Sequence, residues 1–412
     1  MELIGGQKKV VLITSGQPSL NPRLVKEADA LAATGYSVTV LYAYWNGWGT
    51  EIDRDLLLSK KWKAICVGGN PVNQRVIYFL SRLIHKVSLL ATRKTRSKLL
   101  ADFAIARSSF LLIREAPRHK ADLYIGHNLG ALPASVNAAR KNNAKSGFDA
   151  EDFHRFELDN NIQAFQHQLA IYLEDKYIPQ VDYLTTSSPG ISSAYRALYQ
   201  HKSPVTVLNV FPAAFQIPAI VRKANDVVKL FWFSQTISHG RGLKECIGAL
   251  KLINNPLIEL HLLGFVTESD KRQLTDFADK QVNMVFYPPI PPDQIIQLAA
   301  TFDIGLAPEE NAPYNRQLCL TNKIFTYMQA GLAIIASDTA AQTALLKQYH
   351  GTGLVYQCGN SRSLADQMMF YWDHRQALLE AKKASFSIAR KELNWETESK
   401  KFLKVISDIL RD

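Results

Sequence analysis

The stretch VVLITSGQPSLNPRLVKEADALAATGYSVTVLYAY (10–44) decides the fold class. Residues 10–16 open with the unbroken apolar run of a parallel strand covered on both faces. Asn21 then stands where a helix N-cap belongs, with Pro22 at the first helical position. The helical pattern runs through LVKEADALAAT and stops at Gly35, the residue best suited to a left-handed C-terminal cap. A second strand follows at 37–44. The unit is β-α-β.

Working outward, the alternation continues. DLYIGHN (122–128) and VDYLTTSS (181–188) read as strands, each followed by a helix. A second series comes after 211–226, a Pro- and Ala-rich segment without a clean period. Its strands are KLFWFS (229–234), IELHLLG (258–264), VNMVFY (282–287), DIGLAP (303–308), LAIIASD (332–338) and GLVY (353–356). Strands alternating with helices build parallel sheets with helices on both faces. The expected architecture is α/β: two doubly wound, Rossmann-like domains facing across a cleft. The boundaries are 1–210 for the first domain, 211–393 for the second, and 394–412 for a C-terminal helix that either docks on its own domain or crosses back.

Composition limits the function classes. Of 412 residues, 47% are hydrophobic and 21% charged, which excludes disorder and coiled-coil arrays as the main state. Lys+Arg 48 against Asp+Glu 37 leaves +11, a balance that favours anionic partners. The four cysteines are scattered, so neither a disulfide framework nor a metal-type spacing is expected. No run of about 18 apolar residues is present, and the amino terminus lacks the order of a secretory signal. A cytoplasmic protein is the expectation.

In open α/β sheets ligands sit beyond the carboxyl ends of strands, so residues there are read first. The first turn carries Gly16 and not a G-x-G-x-x-G fingerprint, which argues against a nicotinamide or flavin enzyme. Gly16 permits close backbone approach to a ligand. Arg23, in the first helical turn, is either a solvated arginine or a ligand contact. His127 ends its strand at a position suited to proton transfer or hydroxyl contact. FDAEDFHRFE (148–157) places Asp149, Glu151 and His154 together, either as a solvated acidic helix start or as carboxylates for sugar hydroxyls. No metal motif is recognisable there.

In the second half, QTISHGRGLKECIGAL (235–250) puts Arg241 and Lys244 beside a glycine-loosened helix start, the way phosphate is held. In LTNKIFTYMQAGLAIIASD (320–338), Thr321 or Asn322 caps a helix whose first turn holds Lys323. A lysine there opposes the helix dipole unless an anion faces it, which points to a bound phosphate.

These motifs resemble the GT-B glycosyltransferases, specifically the large retaining family called family 4, along nearly the whole chain. NKIFTYMQAGLAIIASD (322–338) is similar to that family's signature, HGRGLKE (239–245) to its phosphate-binding loop, and the tip at His127 to its active-site histidine. The resemblance implies transfer of a sugar from a nucleotide-diphosphate sugar to a sugar or lipid-linked acceptor, with retention and no obligatory metal or other cofactor. His127, Arg241 and Lys323 would be catalytic. Gly16, Lys244, Glu309, Glu310, Thr321, Asn322 and Thr326 would bind donor, and Arg23, Asp149, Glu151 and His154 would face the acceptor. Two departures stand out. The family's paired glutamates are Leu318 and Thr326 here, with Glu309 or Glu310 as substitutes for the first, and its Gly-Arg is Ser234-Gln235. A binding subunit that no longer transfers, or a nucleotide-sugar epimerase, are the alternatives.

RVIYFLSRLIHKVSLLATRKTRSKLL (75–100) is a basic amphipathic helix. It reads either as a surface for an anionic membrane, with peripheral attachment at its inner face, or as a helix covering its own sheet. Nucleic acid is not expected, for lack of an aromatic-interleaved basic ladder.

Overall fold

Asn21 caps its helix as expected, its side chain accepting from the Leu24 amide at 3.0 Å, with Pro22 next in line. That helix, Pro22–Ala33, joins β1 (Lys9–Thr14) to β2 (Ser37–Ala43). The computed structural model describes residues 7–95, 98–213, 227–238, 241–279 and 281–411. Most of the 211–226 segment and two residues of the 239–245 motif, His239 and Gly240, lie outside the described residues.

The chain divides into two compact units, Met1–Val207 with Ser399–Asp412, and Leu208–Glu398. Among the described residues of the first, seven strands form one sheet: β1, β2, β3 (Lys63–Val67), β4 (Leu123–His127), β5 (Lys145–Ala150), β6 (Tyr183–Thr186) and β7 (Val205–Thr206), in the order 3-2-1-4-5-6-7. The second unit has six: β8 (Val228–Thr236), β9 (Ile258–Phe265), β10 (Asn283–Tyr287), β11 (Ile304–Ala307), β12 (Ala333–Ser337) and β13 (Gly353–Tyr356), in the order 10-9-8-11-12-13. Every pairing is parallel. Both sheets reverse strand order once, between β1 and β4 and between β8 and β11. Those are the switch points where doubly wound folds bind ligands.

The same device sets the register at both switch points. Asp122, just before β4, accepts from the Lys9 amide at 2.7 Å. Asp303, just before β11, accepts from the Lys229 amide at 2.9 Å. Each carboxylate satisfies an amide at the start of the neighbouring strand that the ladder leaves unpaired. Buried Lys382 neutralises Asp303 at 2.9 Å.

The cores are apolar on both faces of each sheet. Trp232, Leu230, Leu260 and Ile335 pack with the helix Leu243–Ile253 on one side of the second sheet. Phe231, Phe302 and Tyr327 pack on the other, with the Phe231 and Phe302 rings stacked at 4.5 Å. The helix Trp395–Arg411 begins in the second unit, where the Trp395 amide donates to Phe211 O at 3.0 Å, and its residues from Ser399 on belong to the first.

Three strands are not evident in the residue pattern: β3, β5 and the short β7, which lies just before the expected boundary at 210. The four cysteines are free thiols.

Candidate functional site

At the first switch point the carboxyl ends of β4 and β5 carry a closed cluster of charges. His127 ends β4 and is fully buried. Its Nε2 lies 3.2 Å from Glu27 Oε2, and its Nδ1 lies 3.4 Å from Asp149 Oδ2 and 3.7 Å from Glu151 Oε1. These are contacts between charges, not aligned hydrogen bonds. Arg23 reaches Asp149 with two arms, Nε to Oδ2 at 2.6 Å and Nη2 to Oδ1 at 2.8 Å, and its Nη1 donates to Val207 O. Thr185 donates to Asp149 at 2.7 Å, and Asn21 Nδ2 donates to Glu151 at 2.6 Å.

Burial alone would strip the proton from His127, but Glu27, Asp149 and Glu151 outweigh it and hold the ring protonated well above its ordinary value. Burial would likewise raise Asp149, yet Arg23 and His127 hold that carboxyl far below the usual range.

Several expectations are corrected here. Arg23 is neither solvated nor turned to a ligand; it is buried on Asp149. His127 faces carboxylates inside the unit rather than an open tip. The 148–157 stretch is no acidic helix start, because Asp149 lies within β5 and His154–Phe156 is a single 3-10 turn. His154 is buried and its Nδ1 meets Glu157 Oε2 at 2.7 Å. Glu151, partly exposed, is the one of these acceptor-side residues still open to solvent. Gly16 is uncrowded: a Cβ there would meet Thr14 Oγ1 at 3.9 Å and nothing nearer.

Glu27, His127 and Asp149 are close enough to share an ion, but their arrangement does not suit one. The two carboxylates lie against opposite ring nitrogens, and both Asp149 oxygens already hold the Arg23 fork. A cation would have to displace that guanidinium.

His154 yields a pH test. Burial lowers its affinity for a proton, but Glu157 outweighs this and pushes the pKa up to about 9 from 6.5. A raised histidine contributes stability that is complete below the unfolded value and is lost as pH rises through the folded one. Between pH 6.5 and 9, the wild type is therefore expected to lose stability that His154→Gln does not lose. Urea unfolding across that window checks it; parallel curves for the two proteins would contradict the pairing.

The second switch point is built differently. A β-bulge between Phe233 and Thr236 shifts the register of β8 before it pairs again at Thr236 with Phe265. The chain then enters the helix Leu243–Ile253 through Arg241 and Gly242, both left-handed at φ 70° and 75°. Gly242 is required twice, because a Cβ there would also stand 2.3 Å from Pro308 O. This contact brings the loop after β8 against the loop after β11. The Arg241 amide donates to Glu310 Oε1 at 3.0 Å, and its Nη1 donates to Ser234 Oγ. Lys244 is exposed in the first helical turn.

Glu309 is the centre of the neighbouring loop. Its buried carboxylate accepts from Lys323 Nζ at 2.6 Å, Arg316 Nη1 at 2.8 Å and Thr321 Oγ1 at 3.2 Å. Burial would raise its pKa, but Lys323 and Arg316 outweigh that and hold it below the ordinary value. The Lys323 ammonium also stands 5.9 Å from the Trp232 ring. The anion that answers Lys323 at its helix start is thus the chain's own Glu309, a correction to the phosphate inferred from dipole mismatch alone. Two cations share one carboxylate, so the cluster keeps net positive charge. Thr321 is the N-cap of helix Asn322–Gln329, and Asn322 is exposed at its first position.

Thr326 is buried and its hydroxyl donates to Asn322 O at 2.9 Å, so it is spent within its own helix. Leu318 is buried in the short helix Asn315–Leu318. Thr326→Val is expected to leave nucleotide affinity unchanged by calorimetry; a lost ribose contact would weaken it about three- to tenfold.

Sequence reasoning missed Arg316 and Glu27. Glu27 had a signal, its i,i+4 spacing from Arg23 on one helix. Arg316 had none, because only the folding back of the loop after β11 brings it to Glu309.

No protein-family model and no curated protein matches the chain. Solved structures do. A glycosyltransferase from Rickettsia africae is similar at 12% identity with a TM-score of 0.67, covering 99% of this chain and 100% of that one. Sucrose-phosphate synthase from Thermosynechococcus elongatus reaches 0.71 at 11% identity, covering 98% and 100%. HepE of Anabaena, in complex with UDP and glucose, reaches 0.68 at 14% identity, covering 97% and 99%. The fold is GT-B. Within a GT-B chain, the second unit's cluster of Arg241, Lys244, Arg316 and Lys323 at the β8 and β11 ends is the candidate anion site.

Proposed function

We propose that the chain is a glycosyltransferase that moves a sugar from a nucleotide-diphosphate sugar to an acceptor hydroxyl. Transfer proceeds with retention and without a resident metal, on a sugar or lipid-linked acceptor, in polysaccharide or glycolipid synthesis. One observation carries the reading: at the carboxyl-end switch point of a Rossmann-like sheet, the neighbours Glu309 and Glu310 hold Lys323, at its helix start, and the backbone of Arg241, on the loop after β8. HepE, on the same fold, holds UDP and glucose, which supports a nucleotide-sugar donor.

The residues divide the work. Ser234 accepts from the Arg241 guanidinium and Glu310 from its backbone amide, so the side chain is directed before any ligand arrives. Glu309 holds the Lys323 and Arg316 side chains in place. Charge growing on a departing diphosphate is then met by preorganised cations, which lose little in reorganising. Glu309 also competes with phosphate for Lys323, which lets the product nucleotide leave. His127, shut among carboxylates, shapes the end of β4 and acts on the sugar only through that placement.

Leu318 and Thr326 favour a second reading, a binding subunit that does not transfer, because neither supplies the carboxylate the resemblance implies. A thermal-shift panel of nucleotides and nucleotide sugars, followed by a transfer assay, separates the readings. Ligands that bind the native state raise the melting temperature by mass action. A nucleotide-diphosphate sugar that raises it and is consumed only with acceptor present is expected. Binding without turnover would assign the subunit reading, donor conversion without acceptor would assign an epimerase, and no shift with any nucleotide would end the proposal.

A further inference from the structure

The helix Arg75–Thr95 is turned inside out. Its buried positions are Ser81, Ser88 and Thr92, and His85 Nε2 meets Ala104 O at 3.1 Å on the same inward side. Outward, Val76 is 80% exposed, Phe79 62%, Leu83 58%, Val87 53% and Leu90 56%. At 100° per residue these form one stripe along about four turns. Of the two readings of this helix, covering its own sheet with a solvated basic side does not describe it: Ser81, Ser88 and Thr92 face inward, and the apolar stripe is bare. Arg75, Lys86 and Arg93, all exposed, line one flank of the stripe.

The patch continues past the helix. Tyr78 packs edge-on against Tyr44 at 5.7 Å, and the Arg82 guanidinium lies 3.4 Å over the Tyr78 ring. Next to Tyr44, Trp45 is half exposed with Arg107 at 5.0 Å over its ring, and Trp48 is equally exposed three residues on. Tyr44 follows the carboxyl end of β2, so the patch borders the ligand-binding edge of the first sheet. Among the described residues no helix is long and apolar enough to cross a membrane.

We propose that this face, the 76–90 stripe with its basic flank and the Trp45–Trp48 corner, lies flat on an anionic phospholipid bilayer. Apolar side chains enter the acyl boundary, lysine and arginine reach the headgroups, and tryptophans sit between. Charge selects this occupant. No acidic residue occurs from Leu56 to Ala101, so a second copy would bring the same positive face and repel, whereas anionic lipid is complementary. The proposal deepens the lipid-linked-acceptor reading, but its test needs no nucleotide.

Full-length protein is floated with vesicles of phosphatidylcholine, and of phosphatidylcholine mixed with phosphatidylglycerol, at low and high salt. Wild type is expected to float with the anionic vesicles at low salt only. Reversing Arg75→Glu, Lys86→Glu and Arg93→Glu together is expected to weaken binding about a hundredfold. Leu83→Ser, Val87→Ser and Leu90→Ser together are expected to abolish it, with the melting temperature kept because all three are exposed. Wild type remaining unbound, or either triple variant binding like wild type, would overturn the assignment. So would a wild-type dimer that the serine variant dissociates without any lipid binding. Flotation without sugar transfer would retain the surface and end the transferase reading; transfer without flotation would do the reverse.

Discussion

Arg23→Met is expected to destabilise the first unit by about 3–5 kcal/mol, the cost of leaving a buried charge without its partner. The arginine is 1% exposed and holds both oxygens of Asp149. Removing it leaves Asp149, Glu27 and Glu151 around a single imidazolium, so negative charge in a dry environment is left in excess. Burial is compensated only while both partners are present. A whole-chain unfolding midpoint does not by itself say which of two units lost stability. The loss is therefore read by native-state hydrogen exchange of the β1, β4 and β5 amides, whose opening should become easier by that amount. Unchanged protection would mean that the cluster is not structural and that Arg23 is free for another role.

Arg241→Ala is expected to act on the other unit and on chemistry instead. We expect it to cost about 2–4 kcal/mol of transition-state stabilisation, a fall of roughly 30- to 1000-fold in kcat/KM for sugar transfer, with stability unaffected. The side chain is partly exposed on Ser234, so its loss opens no buried cavity. Exposed Lys244 should matter less, because solvent screens it. A variant that transfers at the wild-type rate would remove Arg241 from the mechanism.

The strands of the second unit were all legible, since each is an apolar run bounded by turn residues. So was the helix at Asn21–Pro22, because capping chemistry is local. What escaped were elements whose reason is distant. The β5 strand reads KSGFDA, without an apolar run, because Gly147 lies under the Tyr183 ring, where a Cβ would come within 2.1 Å, and because Asp149 is the buried partner of Arg23. Nothing near residue 147 in sequence announces either neighbour. The site divides the same way. Arg241 and Lys323 are singled out by helix-start chemistry, but the mutual cancellation of charges is not visible there. That Lys323 is held by Glu309 fourteen residues earlier, and Arg23 by Asp149 on a distant strand, β5, are facts of topology. An arginine in a first helical turn looks identical in sequence whether it faces water, phosphate or a buried carboxylate.

The central claim is that the loops after β8 and β11 grip a nucleotide diphosphate through Arg241 and Lys323. Calorimetric titration of UDP into the full-length wild type and into Lys323→Ala tests it most directly. We expect saturable binding to the wild type, weakened about tenfold or more in the variant, as befits a lost charge-assisted contact of about 1.5–3 kcal/mol. Absence of UDP binding to the wild type, or equal affinity in the two proteins, would contradict it.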